Sequence, residues 1–115
     1  MSDGSIFQRG VTLEGDTAGQ EFIQEREGWV DTRGYRRFVL STEMWARTNV
    51  TVKIETAATV AGKWNTAATI TTGGTTYIQA EENATNKLER FVRWAIISTD
   101  VNWSVCFWMG YELKA

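Results

Sequence analysis

The last segment of the chain alternates apolar and polar side chains with a period of two. One row carries six large apolar residues: Trp103, Val105, Phe107, Met109, Tyr111 and Leu113. The intervening row is mostly polar or small: Asn102, Ser104, Cys106, Trp108, Gly110 and Glu112. Successive side chains of a strand point to opposite faces of a sheet, whereas a helix needs apolar residues three and four apart. The pattern therefore predicts a strand with one buried face, which is typical of antiparallel sheets.

Three other segments repeat this alternation and predict three more strands. Residues 50–55 place Val50, Val52 and Ile54 on one face, and residues 38–45 place a row from Phe38 to Met44 opposite a row that ends at Trp45. Residues 88–97 are apolar on both faces toward their end, which predicts a central strand covered on two sides. Weaker alternation predicts strands at 6–13, 20–24, 67–71 and 76–81.

Glycine-containing turn signals separate these segments at intervals typical of β-sandwiches. Gly73-Gly74 predicts a tight hairpin, and residues 80–88 have room for one short helical turn. At 115 residues the chain fits a single domain, residues 1–115. We therefore predict an all-β fold, a two-sheet antiparallel sandwich of jelly-roll type with about eight strands. The chain has no proline, so it must protect its sheet edges by other means.

Several function classes lack the residues that their chemistry requires. The chain has no histidine and one cysteine, Cys106, so it offers neither a Ser/His/Asp triad nor a zinc site. We expect no enzyme activity and no cofactor. A structural calcium ion on Asp16, Glu27 or Asp31 is the one metal alternative, because oxygen ligands suffice for it. We expect Cys106, inside an apolar run, to be a buried and inert thiol.

The charge and the N-terminal residues bear on partners and location. A net charge of −2 gives no attraction to nucleic acid or to an anionic membrane, so neither is expected as a partner. The first residues are polar and lack the basic and apolar regions of a secretory signal. The expectation is cytoplasmic synthesis, followed by residence in a virion or an assembled particle.

Six tryptophans are the unusual feature of the composition. Trp94 and Trp103 lie on apolar rows and are expected in the core. Four others are candidates for contact with a ligand or partner: Trp29, Trp45, Trp64 and Trp108. Trp45 and Trp108 fall on the row opposite their apolar neighbours, and Trp29 and Trp64 lie beside turns. Exposed tryptophan is enriched in binding hot spots, but tryptophan also closes the open ends of sandwich cores, so both interpretations stay open.

Three features carry a resemblance to known domains: Trp29 to Tyr35, then Ile54 to Ala57 followed by Gly62 to Trp64, and Leu88 to Trp94. In this order they resemble small jelly-roll domains of the galactose-binding-like type and the β-sandwich structural subunits of phage virions. The resemblance covers roughly residues 29–113 and lies at the level of the fold. It carries over no ligand-binding residue.

These observations favour a non-enzymatic structural protein that assembles with itself or with other particle proteins, such as a phage-like virion subunit. Exposed tryptophan and unguarded sheet edges suit an assembling protein better than a monomer. The alternative is a carbohydrate-binding module in which Trp64 and Trp45 stack on sugar rings and Asn65 and Glu43 bind hydroxyl groups. Particle size and glycan binding discriminate between the two.

Overall fold

The computed structural model describes residues 5–72, 77–84 and 88–115, with the backbone alone for 77–84. These residues form nine strands and a short 3-10 helix at Arg26–Gly28. The strands are β1 (Ser5–Gly15), β2 (Glu21–Ile23), β3 (Val30–Asp31), β4 (Arg37–Ala46), β5 (Thr51–Ala57), β6 (Asn65–Thr71), β7 (Tyr77–Ala84), β8 (Phe91–Ile97) and β9 (Trp103–Lys114). No helix among the described residues is long and apolar enough to cross a bilayer.

The strands pair into two antiparallel sheets. The first sheet has the order β1-β9-β4-β7, and the second has the order β2-β8-β5-β6, with β3 also pairing with β8. Most consecutive strands alternate between the two sheets. Because β2 and β3 both pair with β8, they together occupy one strand position. This is the jelly-roll order of eight strand positions, and it confirms the predicted fold class. The central position predicted for residues 88–97 is also confirmed, because β8 lies between β2 and β5.

The core lies between the two sheets and consists of the inward rows that the alternation predicted. Trp94, Trp103, Val105 and Phe107 are all at most 4% exposed. The ring of Trp94 packs edge-on against Phe107 across the sheets, with centroids 5.2 Å apart. The row from Phe38 to Met44 is buried as well. Because one continuous apolar layer joins both sheets, the outward rows of the strands are left for other contacts.

Two local features differ from the sequence-based predictions. The two-residue strand β3 and the 3-10 helix before it were not predicted, because they are too short to show a period. Within residues 80–88, which have room for one short helical turn, residues 80–84 instead continue β7 as a strand. The predicted hairpin at Gly73-Gly74 lies outside the described residues.

The sheet edge formed by β1 is irregular rather than flat. The register between β1 and β9 shifts twice, between Ile6 and Gln8 and between Gln8 and Val11. Such bulges twist an edge strand and hinder pairing with another chain. The neighbouring edge strand of the second sheet, β2, is only three residues long. Bulges and a short strand are thus the means by which this proline-free chain protects this side of the sandwich.

The buried side chain of Gln24 ties this edge to the core. Its Nε2 donates hydrogen bonds to the carbonyl oxygens of Phe7 at 2.6 Å and Gly28 at 3.0 Å, and its Oε1 accepts one from the Trp94 N–H. The amide therefore joins β1, the 3-10 helix and β8. A buried amide with both ends satisfied stabilises the position of the segments that it connects.

The loops fall into two groups at opposite ends of the sandwich. Loops 16–20, 47–50 and 98–102 follow β1, β4 and β8 and lie at one end. Loops 32–36, 58–64 and the segment 88–90 lie at the other end. This division follows from the antiparallel topology, because each strand that leaves one end returns from the other.

Candidate functional site

The outer face of the first sheet carries two exposed tryptophans on neighbouring strands. Trp45 on β4 is 45% exposed, and Trp108 on β9 is 38% exposed. In the β4–β9 register Trp45 lies opposite Cys106, and Trp108 lies opposite Glu43. The Trp108 indole Nε1 donates a hydrogen bond to Glu43 Oε1 at 3.0 Å. We call the surface formed by Val39, Glu43, Trp45, Cys106 and Trp108 the tryptophan face.

The position of these two tryptophans agrees with the alternation of the sequence. Each occupies the row opposite a buried one: Met44 and Ala46 flank Trp45, and Phe107 and Met109 flank Trp108. The two indoles extend the apolar area of a sheet face that is otherwise polar, as the outward Ser41 and Glu43 illustrate. Sequence reasoning therefore located both residues but could not show that they lie on adjacent strands.

A groove of about 640 Å³ runs beside Trp108 on the same sheet. Gly110 lies in its wall and presents no side chain, while Ile6, which is 60% exposed, lies opposite Gly110 in the β1–β9 register. Val39 and Glu112 complete the part of the groove near β4. The tryptophan face thus has two exposed indoles beside a groove, and a partner of complementary shape can pack against both.

The predicted burial of Cys106 is wrong, because the residue is exposed. Its neighbours Val105 and Phe107 are buried, but the alternation turns its own side chain outward onto the tryptophan face. An apolar run in the sequence therefore did not mean that both faces of the strand are covered. The thiol lies opposite Trp45, so the rate at which a reagent labels it measures how accessible the tryptophan face is to solvent.

The other two candidate tryptophans form a separate cluster on the second sheet. The rings of Trp29 and Trp64 meet edge to face, with centroids 4.8 Å apart. The guanidinium carbon of Arg93 lies 3.9 Å from the centroid of Trp64 and 5.3 Å from that of Trp29. Arg93 Nε also donates to Glu55 Oε1 at 2.9 Å, and both charged side chains are only 12–13% exposed. We call Trp29, Glu55, Trp64 and Arg93 the arginine cluster.

The arginine cluster packs two connecting segments against the outer face of the second sheet: loop 58–64 and the segment before β3 that contains Trp29. Glu55 and Arg93 lie opposite each other on β5 and β8, and Trp64 reaches them from loop 58–64. The Trp29 Nε1 donates to the Gln24 carbonyl oxygen at 2.8 Å, which anchors the second ring. Because the Arg93 cation lies over the Trp64 ring, the ring face that it covers is engaged within the protein and is not open to a stacking ligand.

Sequence reasoning did not identify Glu55 and Arg93 as members of this cluster. Glu55 falls on the row opposite Val52 and Ile54, and Arg93 falls on the row opposite Val92 and Trp94. This alternation gives no sign that a loop folds back over the two residues. Asn65, the polar partner proposed with Trp64 for a sugar, donates to Glu89 Oε1 at 3.2 Å. The structure therefore groups the four candidate tryptophans as two pairs, Trp45 with Trp108 and Trp29 with Trp64.

The acidic residues considered for calcium are not brought together. No group of three or more Asp, Glu, Cys or His side chains with metal-binding spacing occurs in residues 5–72 and 88–115. Asp31 instead forms an ion pair with Arg90 at 3.1 Å and accepts the Arg33 backbone N–H at 3.0 Å. The hydrogen bond from Arg90, followed by that from Arg33, holds the pKa of the Asp31 carboxyl below its ordinary value of 3.8.

Two solved structures match this chain in structure comparison. PirA matches with a TM-score of 0.54 and 15% sequence identity, over 89% of this chain and 92% of PirA. A protein of the Bacillus endospore appendages, a family of disulfide-linked pili, matches with a TM-score of 0.48 and 13% identity, over 98% of this chain and 92% of that one. No family model matches the sequence, and no curated protein is significantly similar to it. At such low identity the likeness to PirA extends to the β-sandwich fold alone.

Proposed function

We propose that this chain is a non-enzymatic structural subunit that associates with further copies of itself through the tryptophan face. The observation that carries the proposal is the placement of Trp45 and Trp108 on adjacent strands of one exposed sheet face, each about two-fifths exposed. Trp side chains in such positions are enriched in binding hot spots. Burial of the exposed part of an indole in a contact removes apolar area that a lone monomer must leave in water.

The size of the sheet supports a second copy as the occupant. Four strands spaced by about 4.8 Å and about ten residues long give a footprint of roughly 19 by 33 Å, or about 600 Å². A stable interface buries about 800 Å² of accessible surface on each partner, and protruding side chains raise accessible area above a flat footprint. The outer face of this sheet is therefore large enough to form a stable interface with the same face of a second copy.

The finer form of the proposal is a particle component, such as a phage-like virion subunit, made in the cytoplasm. The full sequence lacks histidine, the commonest general base, which supports a structural role over a catalytic one. The jelly-roll sandwich is used by many capsid proteins, although the fold by itself does not assign a function.

The test is the mass of the protein in solution, measured by sedimentation velocity across a concentration series. In about 0.5 M salt, where contacts between charged surfaces are screened, we expect the parent to form oligomers and the double variant Trp45→Ser/Trp108→Ser to be monomeric at the same concentrations. Ile23→Ser is the matched control, because Ile23 is 44% exposed but lies on the second sheet. Cys106 supplies a second measurement, since a maleimide should label it more slowly in the oligomer than in the double variant.

Two outcomes contradict the proposal. A parent protein that is strictly monomeric at millimolar concentration excludes self-association through this face. A monomer that binds a glycan, and loses that binding in Trp45→Ser/Trp108→Ser, assigns the same face to carbohydrate instead. Thermal unfolding of each variant, followed by circular dichroism, shows whether the fold has been kept.

A further inference from the structure

The two loop ends of the sandwich carry opposite charge. The end formed by loops 32–36, 58–64 and segment 88–90, which we call the basic end, exposes four cations at its surface: Arg33, Arg36, Arg37 and Lys63. Among residues 5–72 and 88–115, whose side chains the structure describes, none of the four forms an ion pair. Arg90 and Lys114 also lie at this end but are paired with Asp31 and Glu112, respectively. Glu89 lies there as well and accepts a hydrogen bond from Asn65.

The opposite end is acidic. Glu14 and Asp16 are exposed where β1 leads into loop 16–20, and Asp100 lies in the neighbouring loop 98–102. Arg47 is the cation of this end. Glu21 also lies here but is paired with Lys53 at 3.5 Å. After these pairs are set aside, one end of the molecule is positive and the other is negative.

The separation of the ends prevents these charges from neutralising each other within one copy. The molecule extends 39 Å along its longest axis, and the twelve residues of β9 account for nearly that length at about 3.3 Å per residue. The Debye length at physiological salt is about 8 Å, so the two ends are screened from each other. Two copies placed end to end bring the same charges into contact.

The loops that carry the charges are held in place. The Thr32 N–H donates to the Arg90 carbonyl oxygen at 2.7 Å, and the Tyr35 N–H donates to the Thr32 carbonyl oxygen at 2.9 Å. At the other end the Gly19 N–H donates to the Ser98 carbonyl oxygen at 2.7 Å. Loops ordered before contact lose less conformational entropy when a partner binds.

We infer that the basic end of one copy binds the acidic end of the next, so that copies associate head to tail. The inference rests on the proposed self-association but uses a different surface from the tryptophan face. A contact between two unlike surfaces is heterologous, and it propagates as an open filament or closes as a ring. The partner is therefore a second copy of this chain, recognised by charge, and Tyr35, 47% exposed, adds an aromatic contact at the basic end.

The experiment uses two complementary charge variants. Arg33→Glu/Arg36→Glu makes the basic end acidic, and Glu14→Lys/Asp16→Lys makes the acidic end basic. We expect each variant alone to associate about 100-fold more weakly than the parent at low salt, because like charges would then face each other. An equimolar mixture should regain association, since the altered end of one variant matches the altered end of the other.

The controls separate this inference from the proposed function. Arg26→Glu removes an exposed cation beside the second sheet and should associate like the parent. Head-to-tail contact should weaken steeply between about 0.05 and 0.5 M salt, whereas the apolar tryptophan face should not. If the charge variants associate like the parent, or if their mixture stays monomeric, head-to-tail contact is excluded. Loss of association only in Trp45→Ser/Trp108→Ser would leave the tryptophan face as the assembly surface.

Discussion

Replacing Glu55 with Gln tests whether the arginine cluster behaves as a buried ion pair. Breaking a buried pair by removing one partner costs about 3–5 kcal/mol, whereas an exposed pair contributes about 0–1 kcal/mol. The two side chains are 13% and 12% exposed, so the cost should lie near the lower end of the buried range, at about 3 kcal/mol. The amide oxygen of Gln and the rings of Trp64 and Trp29 compensate for about 1 kcal/mol of this.

The expected loss is therefore about 2 kcal/mol of unfolding free energy, or a fall in Tm of roughly 8 °C for a domain of this size. The measurement is urea unfolding at low salt and in 1 M NaCl. Glu21→Gln is the matched control, since its pair with Lys53 is also on the second sheet but has side chains 30% and 37% exposed. We expect that control to lose less than about 1 kcal/mol and the loss to vanish in high salt.

The double variant Glu55→Gln/Arg93→Met completes the design. If the two residues interact as the geometry indicates, the double variant loses less than the sum of the two single variants. The reasoning is refuted if Glu55→Gln loses no more than Glu21→Gln. It is equally refuted if salt abolishes the loss, because a pair shielded by two indoles should respond little to counterions.

Three further predictions concern stability. Trp94→Ala should lower the unfolding free energy by about 3–5 kcal/mol, because the ring is 4% exposed and packs on Phe107; a melting temperature within a few degrees of the parent would contradict its place in the core. Gly15→Ala should lower the unfolding free energy by about 1–3 kcal/mol, because the new Cβ would lie 2.5 Å from Trp103 Cε2 and 2.8 Å from Gln20 Oε1. Gly10→Ala is the control and should be nearly neutral, because its Cβ would have nothing within 4 Å. Equal losses for the two variants in urea unfolding would contradict this packing. Because the pKa of Asp31 is lowered on folding, its contribution to stability should be complete above pH 3.8 and decrease as pH falls below that value; an NMR titration that finds the Asp31 pKa at or above 3.8 would rule this out.

The inward and outward rows of the long strands were predictable from the sequence because they depend on local alternation alone. Trp103 and Phe107 were placed in the core, and Trp45 and Trp108 on the opposite row, and the structure confirms all four positions. Cys106 shows the limit of the same reasoning. Its burial was predicted from its apolar neighbours, although the alternation places Cys106 itself on the outward row.

The arginine cluster could not be predicted from the sequence, and the reason is physical. Trp29, Glu55, Trp64 and Arg93 come from four separate segments, and only the folding of loop 58–64 over the second sheet brings them together. The difference in charge between the two loop ends was hidden in the same way. The arginines of loop 32–36 lie close in sequence to several acidic residues, whereas the ion pair formed at this end joins Asp31 to Arg90, far along the chain.

The central position of β9 has a consequence for the order of folding. This strand lies between β1 and β4, and Ser5 at the start of β1 pairs with Tyr111 near the end of β9. During synthesis β1 and β4 cannot pair with β9 until residues 103–114 have been made, and such long-range pairing makes folding slow, on the scale of milliseconds to seconds. Trp108 belongs to this last strand, so Trp45 gains its neighbour only when β9 docks. A chain that lacks β9 has no complete tryptophan face, and the surface proposed for assembly is therefore restricted to molecules that have finished folding.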